Sequence, residues 1–247
     1  MTAKQLLKTV LSSPVRRWLR NQQRRLQRLF PPRLRTAPVS ADWGWSRGQP
    51  IDRYYIERFL AEHADDVRGH VLDFADDTYA RRFGSKATQV DVLHRLDGNP
   101  HATIVADLAR GEQIPSNTFD CILCTQVLQY IYDLPAAIRT LYRILKPGGI
   151  ILVTAPGIQK IDLEGMEAWG ECWRFTALSL HRLFEEAFSK GQVEVRAYGN
   201  VLVAAAALYG YAWEDVRRDD LEYQDPEYEV LITLRARKLA EVSTHDE

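Results

Sequence analysis

His70-Val-Leu-Asp-Phe-Ala-Asp-Asp-Thr-Tyr79 is the stretch on which the reading of this chain turns. A short apolar run (Val71, Leu72, Phe74) ends in acidic and small residues and gives way to Thr78-Tyr-Ala-Arg-Arg-Phe83. That order predicts a buried strand, a turn and a helix, the first unit of a βαβ fold. Outward from it lie Ala102-Thr-Ile-Val-Ala-Asp-Leu108, Phe119-Asp-Cys-Ile-Leu-Cys124 and Leu145-Lys-Pro-Gly-Gly-Ile-Ile-Leu-Val-Thr154. Each is a compact apolar segment, and helical or turn-rich sequence separates them. The alternation argues for a parallel sheet with helices on both faces.

The chain has 247 residues, 46% of them hydrophobic and 26% charged, which suits one globular domain with an appendage. Its longest apolar run, Val201 to Tyr209, is nine residues, too short for a membrane-spanning helix. Three cysteines, a small and odd number, suit a reducing compartment and a cytoplasmic location. Cys121 and Cys124 form a C-x-x-C, but both fall inside an expected buried strand and no second pair exists, so they read as core thiols. No metal-ligand set or nucleophile triad occurs in a convincing spacing.

The net charge of −1 hides an asymmetry: ten of the 32 basic residues precede Asp42, and none of the 33 acidic ones does. Residues 1–37 therefore read as a basic arm on an acidic domain. Within the arm Val15, Trp18, Leu19, Leu26, Leu29 and Phe30 recur at helical spacing up to Pro31-Pro32, predicting an amphipathic basic helix. Three readings of it stay open. It docks peripherally on anionic membrane or an acidic partner through residues 1–35, it packs on its own domain, or it is an organellar presequence without a visible cleavage site. The acidic domain and the lack of a nucleic-acid-binding motif argue against nucleic acid. Residues 38–50, with Gly44, Gly48 and Pro50 among polar residues, read as a linker; 51–238 is the folded domain, and 239–247 a disordered tail. From Ile51 a helical stripe begins, with Tyr54, Tyr55, Phe59 and Leu60 on one face.

Ile114-Pro-Ser-Asn-Thr-Phe-Asp120, Val127-Leu-Gln-Tyr-Ile131 and Arg143-Ile-Leu-Lys-Pro-Gly-Gly149, following the opening strand in this order, make the chain resemble a known family. The family is the class I S-adenosylmethionine-dependent methyltransferases, within them the small-molecule type 11 group, and the resemblance runs roughly from Arg53 to Arg237. It implies a Rossmann-like sheet of seven mostly parallel strands with helices on both faces and the last strand antiparallel, S-adenosyl-L-methionine as cofactor, and transfer of a methyl group. The expected acceptor is a small molecule or saccharide, with O-methylation favoured. An NAD-dependent enzyme is a poor match, because Lys-Pro-Gly-Gly and Pro-Ser-Asn-Thr-Phe-Asp do not belong to that pattern.

The chain departs from the family at the glycine-rich loop. The family's glycines fall two, four and six residues after the acidic residue ending the first strand, and Ala75, Asp77 and Tyr79 occupy those places. Glycine serves there through positive φ or close approach to the cofactor. An alternative therefore stands beside the enzyme: a methyltransferase-like domain without activity, working as a scaffold.

On the resemblance, Asp73 and Ala75 belong to the cofactor loop. Asp91, eighteen residues after Asp73, is placed to accept hydrogen bonds from a ribose. Asp107 faces the adenine amino group with Leu108 beside the base, while Thr125 and Gln126, after the fourth strand, reach the methionine part. Tyr54 and Tyr55, on the helix preceding the first strand, are expected in the acceptor pocket. So are Trp173 and Arg174 in an aromatic-rich loop, with His181 as general base. Asp120 reads instead as a residue that fixes a turn.

Overall fold

Strand β1 (Arg68–Phe74) lies at the middle of the sheet, flanked in parallel by β2 (Lys86–His94) and β4 (Phe119–Thr125). The computed structural model describes residues 36–188 and 192–240. The basic helix expected in the arm, and nearly all of the tail expected after Lys238, fall outside them. With β3 (Ile104–Val105), β5 (Leu145–Pro156), β6 (Val193–Tyr198) and β7 (Leu231–Arg237) the strand order is β3-β2-β1-β4-β5-β7-β6. β7 runs antiparallel to both neighbours, and the other pairings are parallel. This is the Rossmann-like sheet that the sequence predicts.

The central strands carry apolar residues towards both faces because both faces are covered. Leu72, Ile122, Cys124, Ile151 and Val153 join the core on one face, while Val71, Cys121, Leu123, Ile150 and Leu152 join that on the other. Cys121 and Cys124 are thus buried on opposite faces, and burial pushes both thiols well above their usual range. Their three-residue spacing on a strand keeps them from sharing a metal.

Helix α1 (Ile51–Glu62) precedes β1, and the short α2 (Thr78–Phe83) follows it. α3 (Leu134–Ile144) buries Leu134, Ala137, Ile138, Leu141 and Ile144, a stripe at helical spacing. Each such aliphatic side chain contributes roughly 2 kcal/mol on burial. Asp133 caps this helix by accepting from Ala136 N at 3.1 Å. Beyond β5 come α4 (Leu163–Ala168), α5 (Ala177–Glu185), α6 (Val201–Leu208) and α7 (Arg218–Glu222). Among the described residues no helix is long and apolar enough to cross a membrane.

Asp120, read from the sequence as fixing a turn, instead lies in β4 and ties it to β1 and β5. Its Oδ2 accepts from His70 N at 2.8 Å and from Lys146 Nζ at 2.7 Å.

The compact unit starts at Ser40, so most of the expected linker is built into the domain. Asp42 folds the segment by accepting from Ser46 N at 2.9 Å, and Arg47 pairs with Asp215 at 2.7 Å. Gln49 N donates to Glu214 at 3.0 Å, and Pro50 bridges to Ala212. The glycines that suggested flexibility serve instead for close approach. A Cβ on Gly44 (φ +100°) would lie 2.9 Å from Tyr211 O.

Candidate active site

Two cavities meet at the carboxyl ends of the parallel strands, where open α/β sheets bind their ligands. The smaller, about 220 Å³, is a slot with apolar walls: Phe74 ends β1, Leu93 lies near the end of β2, and Leu108, Val127 and Ile131 follow β3 and β4. Asp107 and Arg95 stand on its walls, 3.8 Å apart. The larger, about 670 Å³, is a polar chamber. Its walls include Asp42, Trp43 and Trp45 from the segment before α1, Asp52 and Arg53 from α1, and Lys160, Asp162 and Glu171 from the stretch after β5. Gln126 and Tyr130 belong to both and mark the junction.

Ala75 and Gln126 hold the slot in shape by backbone strain. Both have positive φ (66° and 55°), a conformation rare for residues with a Cβ. Ala75 N donates to Leu93 O at 3.2 Å, and its carbonyl accepts from Asn99 Nδ2 at 2.6 Å, so the loop keeps a glycine-like conformation without the glycine. Left-handed alanine costs about 1 kcal/mol. Ala75→Gly is therefore expected to raise the unfolding free energy by about 1 kcal/mol in urea denaturation. An unchanged or lowered value would show that the strain is not there.

Asp73 is buried behind this loop. Its Oδ1 accepts from Phe74 N at 2.9 Å and its Oδ2 from Ala80 N at 3.0 Å, so the carboxylate spans the turn from strand to helix. Burial pushes its pKa up to about 7, with Asp76 and Asp77 adding to the rise, against the lowering effect of the two N–H bonds. Tyr79 lines neither cavity. Its ring packs beside Phe83, centroids 6.2 Å apart, and its hydroxyl sits against the Arg53 guanidinium.

Of the residues expected to hold cofactor, the fold brings Ala75, Asp107, Leu108 and Gln126 to the slot. Asp73 and Thr125 stand behind it. Asp91 is elsewhere, because β2 continues three residues past it to His94. Its carboxylate accepts from Thr103 Oγ1 at 2.8 Å and pairs with His70 Nε2 at 2.6 Å. His94 stands on the slot wall instead, Nδ1 2.7 Å from Leu96 O.

The expected acceptor residues are corrected more strongly. The stripe carrying Tyr54 and Tyr55 turns towards α7 and the core: Tyr55 is fully buried and donates to Leu221 O at 2.9 Å, while Tyr54 donates to Glu222. Trp173 Nε1 donates to Ile131 O at 2.9 Å, and Arg174 braces the chamber wall from behind through Lys160 O (2.7 Å) and Glu171 (2.9 Å). His181 lies on α5, a helix packed on β6 and β7, where it pairs with Glu185 at 3.2 Å. None of these five lines either cavity.

Apart from Gln126, the chamber's polar groups were not singled out in the sequence, although Val127-Leu-Gln-Tyr-Ile131 carries two of them. Among the described residues, four buried side-chain atoms lack a partner, and three of them belong to the chamber: Asp52 Oδ1, Gln126 Nε2 and Gln129 Oε1. Leaving such atoms unsatisfied costs about 1–3 kcal/mol each. All three residues line one space, which makes it the candidate site for a polar ligand. At the junction Tyr130 donates to Asp162 Oδ2 at 3.2 Å. A Cβ on Gly165 would lie 2.5 Å from that oxygen and 2.9 Å from the Tyr130 ring, so a glycine lets the two meet. Burial, with Asp162 and Glu171 adding, pushes the Tyr130 hydroxyl up to about 12 and keeps it neutral.

A family model described as "Methyltransferase domain" matches residues 51–187, more than half of the chain. The chain belongs to that family, the class I S-adenosylmethionine-dependent methyltransferases, and the cofactor of the family is S-adenosylmethionine. Among curated relatives, the ubiquinone/menaquinone biosynthesis C-methyltransferase UbiE of Klebsiella pneumoniae subsp. pneumoniae is 29% identical over 113 residues, 38% of this chain and 45% of that protein. The Escherichia coli O1:K1 counterpart is 51% identical over 39 residues, 16% of each chain. The chain thus spans less than half the length of the curated relatives it matches. A SAM-dependent methyltransferase from Archaeoglobus fulgidus shares the fold with a TM-score of 0.51 at 10% identity, over 75% of this chain and 94% of that one. The N-methyltransferase NodS from Bradyrhizobium japonicum, solved with S-adenosylhomocysteine, gives a TM-score of 0.49 at 15% identity, over 81% and 93%.

The residues present fit this cofactor. The slot offers apolar walls for a purine and a carboxylate, Asp107, within reach of an exocyclic amine. The orphaned Nε2 of Gln126 supplies a donor where slot and chamber meet.

Proposed function

We propose that this methyltransferase transfers its methyl group to a hydroxyl of a small polar acceptor, a saccharide foremost, bound in the larger chamber. The observation that carries the reading is the chamber's lining. Trp45 offers a flat apolar face for the C–H surface of a sugar ring, while Lys160 Nζ lies over the Trp43 ring, 4.0 Å from its centroid. Asp162 and the unpartnered Oε1 of Gln129 offer acceptors for its hydroxyls.

S-adenosylmethionine supplies a methyl group already activated on a sulfonium. The protein's task is then proximity and alignment. On this reading Leu108 and Val127 hold the base in the slot, Asp107 accepts from its amine, and Gln126 donates at the junction. Asp162 takes the proton of the acceptor hydroxyl. Tyr130, donating to Asp162, holds that carboxylate at the junction rather than titrating itself.

The test is a panel of methyl glycosides, phenols, quinols and amines incubated with the chain and S-adenosylmethionine, with products identified by mass spectrometry. The expected product is a methyl ether of a glycoside. Asp162→Asn is expected to lower kcat about 10²-fold with little change in KM for the cofactor. Transfer to nitrogen or carbon with no hydroxyl turned over would overturn the reading.

A further inference from the structure

We infer that Asp52 and Arg53, side by side in the first turn of α1, recognise the amino-acid end of the cofactor and take over the work of the missing glycine loop. The inference rests on the slot being the cofactor's nucleoside site. From that slot, the space beyond the Gln126–Tyr130 junction is the chamber, and Asp52 and Arg53 are both in its wall.

The chemistry of the pair matches an α-amino acid zwitterion. Asp52 Oδ1 is buried and unpartnered, an acceptor suited to an ammonium group. Arg53 carries a guanidinium that stays charged and offers several donors in one plane, suited to a carboxylate. Glu57, one turn further along α1, also acts on it through its charge, but both Glu57 oxygens are hydrogen-bonded by Arg82 at 2.6 and 2.8 Å. The pair has no net charge, and neither does the zwitterion, so a filled site leaves no uncompensated charge.

The same arrangement accounts for Tyr79. A tyrosine at a glycine place of the loop would block backbone amides from approaching a ligand. Here its ring packs towards Phe83 while its hydroxyl steadies the Arg53 guanidinium. The loop thus holds a cation in position where related loops offer backbone N–H groups.

Two probes separate the ends of the cofactor. S-adenosylhomocysteine carries the amino-acid tail, whereas 5′-methylthioadenosine has the same nucleoside and thioether without it. In calorimetric titration of the full chain, S-adenosylhomocysteine is expected to bind at least ~30-fold more tightly than 5′-methylthioadenosine. Arg53→Met should remove most of that advantage and change 5′-methylthioadenosine binding less than about 2-fold. Arg53→Lys, which keeps the charge but loses the planar fork, should fall between. Retained binding of 5′-methylthioadenosine shows that each variant is folded. An Arg53→Met protein that still prefers S-adenosylhomocysteine as the wild type does would overturn the assignment and leave the slot intact. Equal weakening of both probes would also overturn it, since the residue would then serve the fold. A wild type that binds neither probe would remove the nucleoside site and this inference with it.

Discussion

Replacing Gly210 by alanine is expected to lower the unfolding free energy by about 3 kcal/mol, the joint cost of left-handed strain and of overpacking against backbone. Gly210 follows α6 with φ +73°, and a Cβ there would stand 2.0 Å from Ser40 O. No side-chain rotation relieves such a contact, because the obstacle is main chain. The residue it touches opens the segment that carries Asp42, Trp43 and Trp45 to the chamber. If the segment yields instead of the helix, the loss of stability shrinks and the chamber wall moves. Urea denaturation and tryptophan emission of wild type and Gly210→Ala distinguish the two responses. The expected result is a lower midpoint with unshifted Trp emission. A red-shifted emission with an unchanged midpoint would mean that residues 40–50 are held loosely and that Gly210 does not pack rigidly on Ser40.

This segment also shows where the sequence stops being legible. Glycine and proline among polar residues read as a linker, yet at Gly44 and Gly210 the missing side chains permit two main chains to touch. Close approach between residues far apart in sequence leaves no local pattern. The strands and the class of sheet, by contrast, were legible, because strands covered on both faces read as apolar runs alternating with helical sequence. The slot was half legible for the same reason. Asp107, Leu108 and Gln126 sit at strand ends, and strand ends could be placed. Asp91 shows the limit of that argument: the apolar run continues through Leu93, and a shift of three residues put His94 on the wall instead. The chamber was least legible. Its polar residues come from the segment before α1, from α1 and from the stretch after β5, and only the fold brings them to one space. Tyr54 and Tyr55 followed a real stripe on α1, but the stripe faces α7 and the core, and the adjacent Asp52 and Arg53 face the chamber.

Asp73 carries the largest expected effect, and its sign runs against the usual behaviour of acidic residues. Its pKa stands at about 7 in the folded chain against 3.8 ordinarily, burial being the main cause. Between these values the folded state binds the proton that the unfolded state has released. Stability from this group is therefore complete below about pH 4 and is lost as pH rises through about 7. At 1.36 kcal/mol per unit, a rise of about three units amounts to a loss of about 4 kcal/mol. Asp73→Asn removes the titration but keeps one acceptor for two main-chain donors, so either Phe74 N or Ala80 N loses its partner at a cost of about 2 kcal/mol. The two stability curves should then cross. At pH 4 the asparagine variant is expected to be about 2 kcal/mol less stable than wild type, and at pH 7 about 2 kcal/mol more stable. Chemical denaturation of both proteins at unit steps from pH 4 to 8 reads this directly, since contributions from other acids cancel in the difference. Curves that run parallel would show that Asp73 titrates in the ordinary carboxylate range and that the loop is held without electrostatic cost. A crossing would mean that Asp73 is only about half ionised at neutral pH and that ionising it there costs stability. What the charge gives in return is a tighter grip on the Phe74 and Ala80 N–H groups, which sets the turn that shapes the cofactor slot.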